Sequence, residues 1–227
     1  MYIALSMERK FIQGCIRQEF IRAWLVYNRS WIYYGLEIMT EQIRNINNTR
    51  LLSVDESIRD QVMMCLDRMH ELEQPAVIHR DVWRSPALQE LKFRQGVSKL
   101  KWGYHCATRN GKPASLACDI VHIDHAWFSK FDATYKADEY FWLCLGRSAK
   151  EAGLDWGGEW MWTWPSKEAT EKVRKLNERI DTLDATGLET VRDFGWDVAH
   201  IEVRGVSADE AAQGWRISNG VKFKIVP

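Results

Sequence analysis

Asn219-Gly220, set between alternating residues in "WRISNGVKFKIV" (215–226), is the most restrictive local signal in the chain. Both residues accept the positive φ that a two-residue turn demands, and the period of two on either side gives each flank one buried face. The segment therefore predicts an antiparallel hairpin. Any fold for the rest of the chain must accommodate antiparallel strands.

The segments ahead of it alternate between helical and extended patterns. Ser53 with Glu56 three residues later predicts a capping box. It opens a helix of about five turns whose stripe is Ile58, Val62, Cys65, Leu66 and Met69, ended by Pro75. "AVIHRDVWR" (76–84) predicts a strand. "SPALQELKFRQG" (85–96) predicts a helix with Ser85 at the cap, Pro86 in the first turn and Gly96 past the end. "SLACDIVHID" (115–124) is a second strand, and "KADEYFWLCLGRSAKEAG" (136–153) a helix with Phe141, Leu145, Ala149 and Ala152 on one side and Gly153 as its stop. "LDWGGEWMWTW" (154–164) sets paired glycines among tryptophans, which predicts a tight turn with aromatic walls. "SKEATEKVRKLNERIDTLD" (166–184) carries Ala169, Val173, Leu176, Ile180 and Leu183 as the buried stripe of a surface helix. Helices mixed with short strands of this kind predict an α+β fold, a small antiparallel sheet flanked by helices.

Length and charge narrow the function. The 227 residues suit one domain with an appendage. Lys plus Arg and Asp plus Glu both total 31, and no basic run offers the electrostatic footprint that a nucleic-acid partner needs. Five cysteines without C-x-x-C spacing argue against a disulfide framework and a cysteine zinc knuckle, and point to a reducing compartment. "FIRAWLVYNRSWIYYGLEIM" (20–39) is interrupted by Arg22, Asn28, Arg29 and Ser30, so it predicts neither a stable membrane span nor a signal peptide. An amphipathic helix with Phe20, Trp24, Tyr27 and Trp31 roughly on one face is the expectation there.

Histidine is scarce enough for metal sites to be enumerated. His70, on the polar side of a helix, and His79, within a strand, read as structural or solvated. The remaining four combine with carboxylates in three places: "WGYH" with the following strand "ACDI", then "VHIDHAW", then "WDVAH". On a strand His122 and Asp124 would share a face and His125 would point away, so that triplet cannot chelate as a unit unless the strand ends there. Zinc hydrolases use three protein ligands and a water, with a carboxylate beside the water to take its proton. Asp197-x-x-His200 alone reads as a surface pair, but with His200 as ligand and Asp197 as base the short spacing sets the base beside the metal.

Taken in order, "VWRSPALQELKFRQGVSK", "GYH", "SLACDIV", "AGLDWGGEW" and "DVAH" resemble the zinc peptidases that cut bacterial cell-wall peptides. These are the D-Ala-D-Ala carboxypeptidase and L-alanyl-D-glutamate endopeptidase family, with a hedgehog/DD-peptidase-like fold, which includes many phage endolysins. The family pattern falls on Arg84-Ser85, Gln89, Gly96 with Ser98, His105, Ala117 with Asp119, Trp156 to Trp160, and Asp197 with His200. The resemblance implies one zinc ion held by His105, Asp119 and His200, with Asp197 as general base and Arg84 as electrostatic partner of the substrate or the developing oxyanion. It implies Gln89, Ser98, Trp156 and Trp160 as substrate contacts, and peptidoglycan stem peptides as substrate.

The chain departs from the pattern in three ways. Gly103 stands where the family has Ser, "CATRNGKPAS" lengthens the segment from His105 to Asp119, and a helical insertion occupies about 164–195. That insertion is expected either to cover the cleft or to pack peripherally. Residues 1–38 do not resemble the family and read as an extension to a catalytic domain at 39–227. Without a signal peptide, the expectation is synthesis in the bacterial host cytoplasm and action on the wall after release, dependent on a partner such as a holin. A D-Ala-D-Ala carboxypeptidase and a non-catalytic phage wall-binding module are the alternatives.

Overall fold

The computed structural model describes residues 41–124, 138–161, 163 and 165–226. The chain divides into two units, Met1–Arg44 and Asn45–Pro227. The helix expected at 20–39, Cys15 and His125 lie outside the described residues. No helix among the described residues is long and apolar enough to cross a membrane.

The fold is α+β. A four-stranded sheet in the order β1-β4-β6-β5 is antiparallel throughout, built from β1 (Ala76–Ile78), β4 (Ala117–His122), β5 (Asp155–Trp156) and β6 (His200–Glu202). Two hairpins stand apart from it: β2 (Thr108–Arg109) with β3 (Lys112–Pro113), and β7 (Trp215–Ser218) with β8 (Val221–Lys224). The second is the hairpin that Asn219-Gly220 demands, with φ of 49° and 75° at the two turn residues. The helices are α1 (residues 41–51), α2 (Glu56–Glu71), α3 (Pro86–Arg94), α4 (Asp138–Glu151), α5 (Lys167–Thr182) and the short α6 (Thr190–Asp193) and α7 (Ala208–Ala212).

Strand parity divides the sheet into two faces. Ile78, Ile120, His122, Cys118, Ile201 and Trp156 share one, by the register that pairs Ile78 with Ile120, Cys118 with Ile201 and Trp156 with Ile201. Helices α2 and α4 cover it: Phe141 of α4 lies 5.8 Å from the His122 ring, and Cys65 of α2 adjoins Cys118. Burial pushes the Cys65 thiol up to about 12 and raises Cys118 well above its ordinary value, so neither is a thiolate nucleophile at neutral pH. The run Phe141, Trp142, Leu143, Cys144 and Leu145 is buried all round, because α4 is sandwiched between α2 and α5. Edge strand β1 is closed by α1, where Asn47 donates to Ala76 O (3.2 Å) and accepts from Ile78 N (2.9 Å).

Most expected elements are present, with three corrections. The cap of α2 is Asp55, whose carboxylate accepts from Ser57 N at 2.9 Å. Ser53 is occupied elsewhere, its carbonyl accepting from Ser115 N (2.8 Å) beside the parallel bridge of Val54 with Ser115. The strand expected over 76–84 stops at Ile78, so His79 lies beyond it, although its N–H still reaches Asp119 O at 2.7 Å. In α5 the stripe narrows to Ala169, Leu176 and Ile180, with Val173 and Leu183 half-buried. The α5 helix packs on α4, and Lys150 pairs with Asp181 at 3.3 Å.

Asp55 is more than a cap. Its buried carboxylate also accepts from Arg109 (2.6 and 3.1 Å) and from Arg216 Nε (3.2 Å). Arg216, fully buried, spends its other donors on Thr108 O, Ala211 O and Trp215 O. One carboxylate thus ties the start of α2 to both hairpins. Burial would raise its pKa, but the Arg109 hydrogen bonds and those from Ser57 hold it below the ordinary value. Asp55→Ala should lower stability by about 3–5 kcal/mol, since it strands a buried guanidinium. A carboxyl with a depressed folded pKa contributes stability above its unfolded pKa, near 3.9, and loses it as pH falls through the folded value. The melting-temperature gap between wild type and Asp55→Asn should therefore be full at pH 6 and shrink as pH falls below about 4; a constant gap would show that the charge contributes nothing.

Candidate metal centre

The other face of the sheet carries the site. Asp119 and His200 are direct cross-strand partners in β4 and β6, so their side chains emerge together. Glu202, two residues beyond His200, shares that face and sits opposite Ala117, whose small side chain leaves room for it.

His105 arrives by a different route. It sits in the 3-10 turn Tyr104–Cys106, and the segment that leaves β1 wraps that turn. His105 Nδ1 donates to Val82 O (2.7 Å), Trp83 Nε1 donates to Ala107 O (3.0 Å) and Arg84 N donates to His105 O (2.9 Å). The carbonyl of Val82 fixes the tautomer, leaving Nε2 bare and aimed at the strands. The lengthened segment after His105 folds into the β2–β3 hairpin and so returns the chain to β4 without moving the histidine away from Asp119.

Three ligand atoms result. His105 Nε2 lies 3.3 Å from His200 Nδ1, His200 Nδ1 lies 3.2 Å from Asp119 Oδ1, and His105 Nε2 lies 3.6 Å from Asp119 Oδ1. A tetrahedral ion with bonds of about 2.0–2.1 Å requires ligand-to-ligand edges of about 3.3–3.4 Å. The triangle matches one face of such a tetrahedron, so this buried group could hold a metal ion and leave the fourth corner to another ligand.

Each ligand has an outer partner. His200 Nε2 donates to Glu202 at 2.9 Å, which turns Nδ1 towards the other two ligands. Arg84 Nη2 lies 3.4 Å from Asp119 Oδ2, the oxygen that faces away from the triangle. The guanidinium assigned to substrate or oxyanion thus rests against a ligand carboxylate, and its Nε is buried with no hydrogen-bond partner.

Electrostatics set the protonation states. Burial opposes charge on His200, yet hydrogen bonds to Asp119 and Glu202 and the field of Asp197 raise its pKa to about 10. Burial likewise opposes ionisation of Asp119, but the charges and hydrogen bonds of His105 and His200 hold it well below the ordinary carboxylate value. Asp197 goes the other way: burial raises its pKa, with Asp119 adding to the shift and His200, His105 and Arg84 opposing it. Asp197 thus stands beside the triangle, within the field of all four groups.

The turn holding Asp197 depends on glycine. His200 N donates to Asp197 O at 3.0 Å, and a Cβ on Gly157 would collide with that same carbonyl oxygen. Gly195 N donates to Gly158 O at 2.6 Å, and a Cβ on Gly158 would overlap the Trp156 ring. Trp156 itself is only 4% exposed, donates to Val198 O at 2.7 Å and packs on Phe194. The aromatic wall expected at Trp156 is therefore interior packing, because its register with Ile201 turns it to the helix-covered face. Trp160 does reach the site, its ring 5.1 Å from that of His200.

Gln89 is buried, and its amide donates to Ser98 Oγ (2.9 Å) and Leu100 O (2.7 Å), so these two expected substrate contacts brace one another and the loop after α3. His122 is turned to the opposite face, and its Nδ1 accepts from Asp124 N at 3.1 Å where β4 ends. Glu202 was missed as part of the site, although its place two residues after His200 on an alternating run was the available signal. No family model, curated protein or solved structure matches the chain.

Two outcomes follow for metal affinity, measured by chelator competition. Glu202→Gln should weaken it about 10- to 100-fold while leaving the fold intact, and His200→Ala should abolish it. Because His200 with its raised pKa must release a proton to bind a metal, wild-type affinity should rise about tenfold per pH unit between pH 6 and 8; a flat profile would mean that His200 is already neutral there.

Proposed function

We propose that the chain is a zinc-dependent peptidase acting on peptidoglycan stem peptides, an L-alanyl-D-glutamate endopeptidase of the phage endolysin type with a hedgehog/DD-peptidase-like fold. The observation that carries this reading is the triangle of His105, Asp119 and His200 with the buried carboxylate of Asp197 beside it. The ordered sequence resemblance from Arg84 to His200 supplies the substrate class. Two imidazoles and one carboxylate with a free corner suit catalytic zinc. When bound there, zinc would polarise the scissile carbonyl and lower the pKa of a water at the fourth position.

The chain's own residues do the rest. Asp197 takes a proton from the attacking water and passes it to the leaving amine, a task that its raised pKa favours. Glu202 and the Val82 carbonyl hold the two imidazoles in the tautomers that point bare nitrogens at the ion. Arg84 restrains Asp119 by its outer oxygen, which leaves Oδ1 to the ion. Its positive charge also lies within reach of negative charge developing on the substrate. The enzyme would act on the wall from the host cytoplasm, reaching it with help from a holin.

Zinc content per chain and release of soluble peptide from purified sacculi, measured for wild type and Asp197→Ala together, test this reading. One zinc in both with cleavage only by wild type is the expected result. Zinc without cleavage in either protein would favour a non-catalytic wall-binding module, and cleavage confined to terminal D-Ala-D-Ala would assign a carboxypeptidase.

A further inference from the structure

Helix α3 is turned inside out. A surface helix ordinarily buries an apolar stripe and shows a polar face, yet the one residue that α3 buries is Gln89, whose amide donates to Ser98 Oγ (2.9 Å) and Leu100 O (2.7 Å). Leu88 and Leu91, three apart and so neighbours on the helix surface, are 37% and 50% exposed. The loop that follows presents Val97 and Leu100 at 69% and 52%. It folds back on the helix end, with Val97 N and Ser98 N both donating to Lys92 O (2.9 and 3.1 Å). Helix and loop brace one another, and together they hold four aliphatic side chains out to solvent. We propose that α3 and the loop to Lys101 dock the protein on an anionic lipid bilayer, lying in the headgroup layer with these side chains among the acyl chains.

Charge selects the surface that covers them. The chain as a whole has no net charge, but between Pro86 and Lys101 the cations Lys92, Arg94, Lys99 and Lys101 face one acid, Glu90. Glu90 is engaged with Arg94 (2.9 Å) and Lys99 with the Trp196 ring (4.8 Å), which leaves Lys92 and Lys101 as excess positive charge. Lys92 follows Leu88 by one helical turn, and Lys101 Nζ lies 5.6 Å from the Phe93 ring. Each ammonium therefore stands beside apolar groups on an aliphatic stem long enough to reach towards headgroups. Aliphatic side chains with a basic rim are what a bilayer of anionic lipids attracts, by burial of the first and by the surface potential acting on the second.

A protein partner calls for different residues. Protein interfaces are poor in lysine, and their binding energy is concentrated in Trp, Tyr and Arg seated in shaped pockets, with Leu and Val under-represented. A second copy related by a twofold axis would set the patch against itself, and with it Lys92 and Lys101 against like charge. Acyl chains have no fixed shape to match, so leucine and valine serve there by area alone. Four partly exposed side chains and two cations make the attachment reversible and sensitive to salt.

The test is flotation of the full chain with vesicles of phosphatidylcholine, either alone or mixed equally with phosphatidylglycerol. The chain should bind the mixed vesicles, bind phosphatidylcholine alone about tenfold or more weakly, and be released by salt. Leu91→Ser should weaken binding to the mixed vesicles roughly fivefold. Lys92→Gln combined with Lys101→Gln should weaken it about 25-fold, at about fivefold per cation, and remove most of the preference for phosphatidylglycerol. Leu52→Ser, at a side chain 71% exposed elsewhere on the surface, should bind as wild type does, and all these variants should keep the wild-type melting temperature. Absence of binding to the mixed vesicles would overturn the docking surface. So would binding that Leu91→Ser and the double lysine variant both retain, since another part of the chain would then carry it. A dimer in ultracentrifugation that Leu91→Ser dissociates, without vesicle binding, would assign the patch to a second copy and overturn the lipid reading.

Discussion

The pairing of β4 with β6 in one register is the constraint on which the site depends. With Asp119 opposite His200, two ligands share a face, Glu202 falls opposite Ala117, and Cys118 pairs with Ile201 on the reverse side. Side chains alternate with a period of two, so a slip by one residue would send Asp119 into the helix layer and Cys118 towards the site. The register is enforced by apolar burial: Ile120, Ile201 and Cys118 are at most 1% exposed beneath α2 and α4. A slipped strand would have to bury a carboxylate there without partners, which costs far more than one misplaced methyl group.

Where the sheet supplies two of the three candidate ligands, loops supply His105 and Asp197, and each loop is anchored to something buried. His105 is held by Val82 and by the run that departs from β1. The hairpin that follows it is tied through Arg109 to Asp55, which also grips Arg216 in the C-terminal hairpin. Asp197 is held by a turn whose close backbone approach requires Gly157. Such a site is rigid because its irregular segments are satisfied by hydrogen bonds into the interior rather than by water.

Local periodicity made the helices and the terminal hairpin legible, since Ile58, Val62, Cys65, Leu66 and Met69 repeat at helical spacing whatever surrounds them. The ligand set was legible only through the ordered resemblance, because nothing in the spacing from His105 to Asp119 announces a β2–β3 hairpin returning to the same point. The errors arose where a tertiary partner decided between local options. Ser53 has a capping sequence, but Ser115 claims its carbonyl and Asp55 takes the cap. The run 76–84 has strand composition, but from Val82 to Arg84 its hydrogen bonds go to the His105 turn and the residue that follows it. Trp156 lies in a glycine-tryptophan cluster typical of a cleft wall, yet its pairing with Ile201 turns it inward.

Charge balance explains why these groups tolerate one another. Asp119, Asp197 and Glu202 face a single guanidinium, Arg84, so with neutral imidazoles the cluster carries an excess of two negative charges in a largely buried setting. Isolated charges are not stable there, and the His200 pKa of about 10 shows the protein drawing in a proton as partial compensation. A divalent cation at the triangle would cancel the excess completely and displace that proton. It would also leave Asp197 outside the ligand set.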